Sequence, residues 1–237
     1  MCQSLIKVRD LNFKYDDNTV TLRNINLDFK DKRVYVLLGK NGSGKTTLMN
    51  ILMYLTRFSE GEIYYNGKKL TSKIAKTTFG YMETPGFFYE YMTVKQFLEY
   101  ICLNRSISKK EYESLISLWL KKTNLVSKKE VLIGTLSQGM RQRLNFVVSV
   151  LHKPHFLLLD EPFNGLDFDE TANLQNIIHE YAKENTVLIS THVFSQITTI
   201  ATNVIFMKDG EITEEKDFHK NKWRLQDYEQ HYKELNE

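Results

Sequence analysis

Gly39-Lys40-Asn41-Gly42-Ser43-Gly44-Lys45-Thr46 decides how this chain folds. The stretch has the spacing G-x-x-x-x-G-K-[ST]. It follows the apolar run Val34-Tyr35-Val36-Leu37-Leu38 and opens the helix-like run Thr47-Leu48-Met49-Asn50-Ile51-Leu52. Strand, glycine loop and helix in that order form a phosphate cradle. The glycines let successive backbone N–H groups turn inward at a helix N-terminus, where the helix dipole also favours anions. Lys45 is placed to offset the charge of the β- and γ-phosphates, and the Thr46 hydroxyl to ligate a bridging magnesium ion. The expectation is a nucleoside triphosphate site.

Downstream, Phe156-Leu157-Leu158-Leu159-Asp160-Glu161-Pro162 reads as an apolar strand ending in two carboxylates. Alone, such a pair is two solvated acids at a strand terminus. Beside a phosphate cradle, Asp160 is expected in the magnesium shell and Glu161 at a water beyond the γ-phosphate, with a bend at the strand end turning the two apart. Leu136-Ser137-Gln138-Gly139-Met140-Arg141-Gln142-Arg143 introduces a helix expected to run to Leu151. Ser137 is a good N-cap and Gly139 permits close approach, so this helix start can hold an anion.

Periodicity supplies the frame. Ile6, Val8, Leu11 and Phe13, then Val20, Leu22, Ile25, Leu27 and Phe29, alternate with polar neighbours, as antiparallel strands with one wet face do. Hairpins are expected around Asn66-Gly67 and Asp209-Gly210. Thr78 to Met82, Phe156 to Leu159 and Val187 to Ser190 are unbroken apolar strands separated by helices, which implies a parallel sheet covered on both faces. Thr93-Val94-Lys95-Gln96 and Ser108-Lys109-Lys110-Glu111 read as capping boxes. Tyr112, Leu115, Ile116 and Trp119 then share one core-facing side of the second helix. The stretch 87–151 is therefore expected as a helical subdomain inserted in an α/β core, all within one domain spanning 1–237. The tail 217–237 reads as helical, with Phe218, Leu225, Tyr228, Tyr232 and Leu235 at heptad-like spacing; packing on the parent domain is the main expectation and a partner helix the alternative.

The net charge of +3 offers no strong basic footprint for nucleic acid. Two cysteines, Cys2 and Cys102, argue against a disulfide framework, and no signal segment makes Cys2 a lipidation site. No run approaches the ~18 apolar residues of a membrane span, so membrane contact is expected through a partner.

With the cradle at Gly39 to Thr46 (Walker A), Leu136 to Met140 as the signature loop and Leu157 to Glu161 as Walker B, the chain resembles the ATP-binding subunit of an ABC transporter. Gly165-Leu166-Asp167 adds the D-loop and Ser190-Thr191-His192 the switch histidine. The likeness runs from Leu5 to about Glu214, with every motif in the family's order. It implies a phosphate-loop NTPase core and an ATP hydrolase needing ATP and Mg2+. Gly39, Lys40, Asn41, Gly42, Ser43, Gly44, Lys45, Thr46 and Thr47 would hold the phosphates, and Tyr15 would stack on adenine. Thr46 and Asp160 would ligate magnesium, Glu161 would act as general base, and His192 would contact the γ-phosphate. Ser137 and Gly139 would touch ATP bound to a second ATPase subunit in a head-to-tail pair, a homodimer by expectation. A transmembrane permease subunit would hold the pair at the inner, cytoplasmic face of the cell membrane.

Two departures stand out. Gln138 replaces a glycine and Met140 a glutamine of the common signature. In the loop after Met82, the family's magnesium-sensing glutamine is absent: ungapped spacing puts Thr84 there, whereas a shift of one residue puts Glu83, the better magnesium ligand chemically. Similar loops occur in the exporting branch, so export is expected. The aromatic stretch Gly86 to Met92 is expected to dock the membrane partner. A soluble ABC-type ATPase acting on nucleic acid or ribosomes is the alternative; the second ATPase unit, coiled-coil insertion or zinc-ligand cysteines usual in such proteins are missing here. A phosphate-loop kinase does not fit the signature loop and acid pair.

Overall fold

In the computed structural model, which describes residues 4–15, 20–218 and 225–236, β1 (Ser4–Lys14) and β2 (Val20–Lys30) pair antiparallel. Ile6, Val8, Leu22, Ile25, Leu27 and Phe29 turn inward, while Lys7, Arg23 and Asn26 stay in water. The alternation changes phase where the register shifts near Asp10 and Asn24, whose φ angles are 49° and 44°. Short polar side chains tolerate that backbone, and the bulges bend the ribbon over the core.

β3 (Val34–Leu38) feeds the glycine loop and α1 (Lys45–Leu52). β4 (Glu60–Tyr65) and β5 (Lys68–Lys69) return to complete a sheet of order β2-β1-β4-β5. Their turn is the expected Asn66-Gly67, both residues at positive φ (48° and 74°), as a two-residue hairpin of the right twist requires. Then come α2 (Ser72–Thr78), β6 (Phe79–Met82), α3 (Val94–Asn104), α4 (Lys109–Lys122), α5 (Gln138–Val150), β7 (Phe156–Asp160), α6 (Phe168–Ala182), β8 (Thr186–Thr191), β9 (Asn203–Lys208), β10 (Glu211–Asp217) and α7 (Leu225–Asn236).

The larger sheet has the order β10-β9-β3-β8-β7-β6. All its pairings are parallel except the β9–β10 hairpin, which turns at Asp209-Gly210 as expected. β3, β7 and β8 are buried along their whole length, which explains their unbroken apolar sequences. Alternate residues feed different layers. Tyr35, Leu37, Phe156, Leu158 and Leu188 pack with α1 and the antiparallel sheet. Val36, Leu38, Leu157, Leu159, Val187 and Ile189 pack with α3, α4, α5 and α6. Each fully buried leucine or isoleucine contributes about 1.5–3 kcal/mol, so this two-sided sheet is the rigid frame of the molecule.

The helical region holds α3, α4 and α5, and the Tyr112–Trp119 face of α4 is buried as expected. Thr93 and Gln96 form a complete capping box. The box expected at Ser108 does not form: Ser108 takes the N-cap position without a side-chain bond. Its intended partner Glu111 turns instead to Lys153, 2.7 Å away, because a cation just past α5 offers a stronger contact than a backbone N–H. The tail helix α7 buries Tyr228 and packs Tyr232 on the helix-covered layer, and Phe218, which follows β10, packs there too. Cys2 and the side chains of Leu225 and Leu235 lie outside the described residues.

Candidate functional site: the nucleotide pocket

The C-terminal ends of β3, β7 and β8 point the same way, and the loops leaving them meet, as open α/β sheets arrange their sites. The loop after β3 wraps Lys45. Its ammonium is only 6% exposed and donates to the carbonyls of Gly39 (2.7 Å) and Lys40 (3.0 Å). Glu161 Oε1 lies 3.9 Å from it. Burial lowers the Lys45 pKa, and the charges of Glu161 and Asp160 oppose that shift. Gly44 caps α1 at φ 106°, a backbone closed to side-chain-bearing residues, which aims the first N–H groups of α1 into the loop. Ser43 Oγ is buried without a hydrogen-bond partner among the described residues, as a hydroxyl kept for a phosphate oxygen would be. Asn41, Gly42, Gly44, Lys45, Thr46 and Thr47, with Thr21 and Glu161, enclose about 320 Å³. A larger cleft of about 420 Å³ near Lys14, Arg57 and Glu60 contains neither the loop glycines nor the acids.

The acid pair is split by the backbone. Asp160, the last residue of β7, is buried and accepts from Thr46 Oγ1 at 2.8 Å. Its other oxygen accepts from the Ser190 hydroxyl. Glu161 follows at φ 47°, a costly conformation for a residue with a side chain, and that kink sends its carboxylate a different way. The Ser190 carbonyl and hydroxyl both receive the Glu161 N–H, at 3.2 and 3.0 Å. Glu161 Oε1 takes His192 Nδ1 at 2.9 Å, while Oε2 is buried and bonded to nothing among the described residues. A general base awaiting a water has that arrangement. Ser190 thus orients both acids. Sequence reasoning missed it; the only available sign was a hydroxyl at the end of the strand that carries the switch histidine.

Tyr15 stands at the pocket rim, 62% exposed. Its hydroxyl lies 3.3 Å from Thr47 Oγ1 and its ring sits edge-on to Phe13 at 4.8 Å, leaving a ring face open to a base. In the loop after β6, the Thr84 hydroxyl donates to the Asp160 carbonyl at 2.7 Å. Asn145 holds the Glu83 carbonyl at 2.6 Å, and the Glu83 side chain is exposed. The two carboxylates share a neighbourhood: burial first, then the charges of Asp160 and Glu83, push the Tyr81 phenol up.

Ser137 and Gly139 do not line this pocket. Ser137 caps α5, its Oγ accepting from Met140 N at 3.2 Å. A Cβ on Gly139 would collide with the Glu170 carboxylate, which is itself paired with Arg143 at 3.3 Å. The unusual Gln138 has a structural counterpart: its amide fills the space a side chain on Gly165 would need, so signature loop and D-loop pack directly. Asp167 then caps α6 by accepting from Glu170 N at 2.8 Å.

A buried lysine on loop carbonyls, a hydroxyl–carboxylate pair beside it and a second acid on a histidine suit a magnesium-bound triphosphate. Comparison with known proteins agrees on the nucleotide. The family model described as ABC transporter matches residues 22–164. The bacitracin transport ATP-binding protein BcrA of Bacillus licheniformis is 32% identical over 230 residues, covering 95% of this chain and 74% of the relative. The lantibiotic transport ATP-binding protein SrtF of Streptococcus pyogenes is 30% identical over 215 residues, covering 90% and 91%. The chain spans 64% of the length of a further relative, the uncharacterized ABC transporter ATP-binding protein YxlF of Bacillus subtilis, at 33% identity over 81% of this chain. A solved ATP-binding subunit of an ABC transporter superposes with a TM-score of 0.86 over 99% of this chain and 100% of that one; at 24% identity it supports the fold. No helix among the described residues is long and apolar enough to cross a membrane. This chain belongs to the ABC transporter family, as one of its ATP-binding, ATP-hydrolysing cassettes.

Proposed function

We propose that two copies of this chain close head to tail around two ATP molecules, hydrolyse them, and drive export through a separate membrane-spanning partner. The observation that carries the reading is the split acid pair: Asp160 held by Thr46 and Ser190, Glu161 held by His192 with one oxygen free.

The loop N–H groups and Lys45 bind the phosphates, and Tyr15 takes the adenine. Thr46 and Asp160 would hold magnesium, with Glu83 as a further ligand, since a carboxylate is a stronger ligand for a hard cation than the Thr84 hydroxyl. The ion, when bound, neutralises phosphate charge. Glu161 Oε2 accepts a proton from water as that water attacks the γ-phosphorus, the bond from that phosphorus to the β,γ-bridging oxygen breaks, and ADP leaves with that bond's electron pair on the oxygen. His192, whose Nδ1 lies 2.9 Å from Glu161 Oε1, is placed to reach the γ-phosphate with its other ring nitrogen. Ser137 and Gly139, absent from the pocket of their own chain, are available to close the pocket of a second copy.

Phe87 and Tyr91, 74% and 73% exposed, form the docking surface for the partner, just beyond the loop that touches Asp160. Held by that partner, the chain would sit at the inner face of the membrane. Export is supported by that loop, which carries Glu83-Thr84 instead of glutamine, and by similarity to relatives named for bacitracin and lantibiotic transport.

Glu161→Gln tests the reading. Hydrolysis should fall by roughly 10²–10⁴-fold, the range for losing a general base, while ATP still binds and holds two copies together, seen by light scattering with ATP and magnesium. Wild-type turnover in this variant would sink the assignment.

A further inference from the structure

The segment after the switch histidine is covered by the C-terminal helix. Phe194, two residues past His192, is buried and begins a 3-10 turn, Phe194–Gln196. Tyr228 of α7 is fully buried. Its ring stacks on Phe194, centroids 5.5 Å apart and planes 16° apart, and on Phe218, at 4.9 Å and 23°. One tyrosine is thus gripped on two rings, one of them in the switch segment. The same helix sets His231 edge-on to Phe206 at 5.1 Å and 2.7 Å from Glu214, which ties it to β9 and β10. Tyr232 lies within electrostatic reach of Glu161: burial, and then the charge of that carboxylate, push its phenol up.

On the other side of His192 the chain is equally fixed. Thr191 ends the buried strand β8, and its hydroxyl accepts from Val193 N at 3.1 Å. His192 and Val193 are therefore a two-residue link between a buried strand and a ring that Tyr228 covers. Play in Phe194 passes directly to the imidazole, and the 2.9 Å contact with Glu161 leaves little room for it.

We propose that Tyr228 is a positioning residue for ATP hydrolysis: by clamping Phe194 it holds His192 against Glu161. The inference rests on the role given to His192 above. Misplacing a reacting group by about 1 Å can cost as much as 10²-fold, so a loosened clamp should act on turnover rather than on ATP binding.

The test is steady-state ATP hydrolysis by the full chain, wild type against Tyr228→Ala, His192→Ala and the double variant. Tyr228→Ala should lower kcat about tenfold with KM nearly unchanged. It should slow the His192→Ala variant no further, since residues acting through one another are not additive. Tyr228→Phe, which keeps the stack, should restore wild-type turnover. Amide exchange across 192–197 should quicken in Tyr228→Ala and not in Tyr228→Phe. If the alanine variant does not fold, Tyr228→Leu, apolar but without a ring to stack, should show the same pattern. Wild-type kcat in Tyr228→Ala or Tyr228→Leu overturns the clamp alone, as does an equal loss in the His192→Ala background. Full activity in His192→Ala overturns the role of that histidine and the clamp with it.

Discussion

The nucleotide pocket and the Gly86–Met92 loop treat their functional side chains in opposite ways. In the pocket, most charged or hydroxylic groups are bonded within the chain: Lys45 to two carbonyls, Thr46 to Asp160, Asp160 to Ser190, Glu161 to His192. Such groups are preorganised and lose little freedom when phosphate arrives. In the loop, Phe88, Tyr89 and Met92 pack against the helical core, while Phe87 and Tyr91 present most of their surface to water. Exposed aromatics of that kind mark interaction sites. Chemistry is built in before the ligand comes, whereas the docking surface proposed above stays open to a partner.

Removing the hub of the internal network should give the largest effect. Lys45→Ala deletes the cation that offsets the phosphates, and ATP affinity should fall by about 10²-fold or more, since a buried charged contact is worth roughly 3 kcal/mol or above. Titration with a fluorescent ATP analogue measures it, and equal affinities for variant and wild type would refute the cradle.

A smaller effect is expected at the boundary between the two regions. Glu83→Ala should raise the magnesium concentration needed for half-maximal ATPase activity by about tenfold, and Thr84→Ala by less, because losing one carboxylate ligand is the larger loss for a hard cation. A larger rise for Thr84→Ala would move the ligand to that residue.

His152 shows what a buried polar group costs where neither chemistry nor docking uses it. Its Nε2–H meets the Phe79 carbonyl at 2.8 Å. Burial, then the Arg105 charge, push its pKa from 6.5 to about 4. The unfolded chain therefore takes up the proton first as pH falls: stability is intact above the unfolded value and drains away between about 6.5 and 4, by about 3 kcal/mol at most. Urea midpoints at pH 7 and pH 5 should differ more for wild type than for His152→Gln, whose amide can still donate to Phe79. Equal differences would contradict the assignment.

Most of this frame was legible in the sequence because local rules and global packing agree. Unbroken apolar runs gave the parallel strands, Asn66-Gly67 and Asp209-Gly210 gave the hairpins, and the loop spacing gave the cradle. Other features depend on contacts distant in sequence. Ser190 orients acids thirty residues upstream and carries no motif of its own. Ser108 and Glu111 have the right spacing for a capping box, yet Lys153, forty-two residues away, takes the glutamate. The α6 helix was hidden behind the D-loop, although Asp167 caps it and Leu174, Ile177, Ile178 and Tyr181 share its buried face. Which rings of the aromatic loop face outward could not be read from composition, since five of its seven residues are aromatic or methionine. That choice is made by Phe97 on α3, which takes Phe88 at 5.6 Å and leaves Phe87 outside.

The division between a finished pocket and an unfinished surface is tested most directly by Phe87→Ala/Tyr91→Ala. Co-expressed with the membrane protein proposed as its partner, the variant should fail to retain that protein in a pull-down, while the isolated subunit melts and hydrolyses ATP like wild type. Full retention of the partner, or a parallel fall in the ATPase rate of the isolated subunit, would contradict the division.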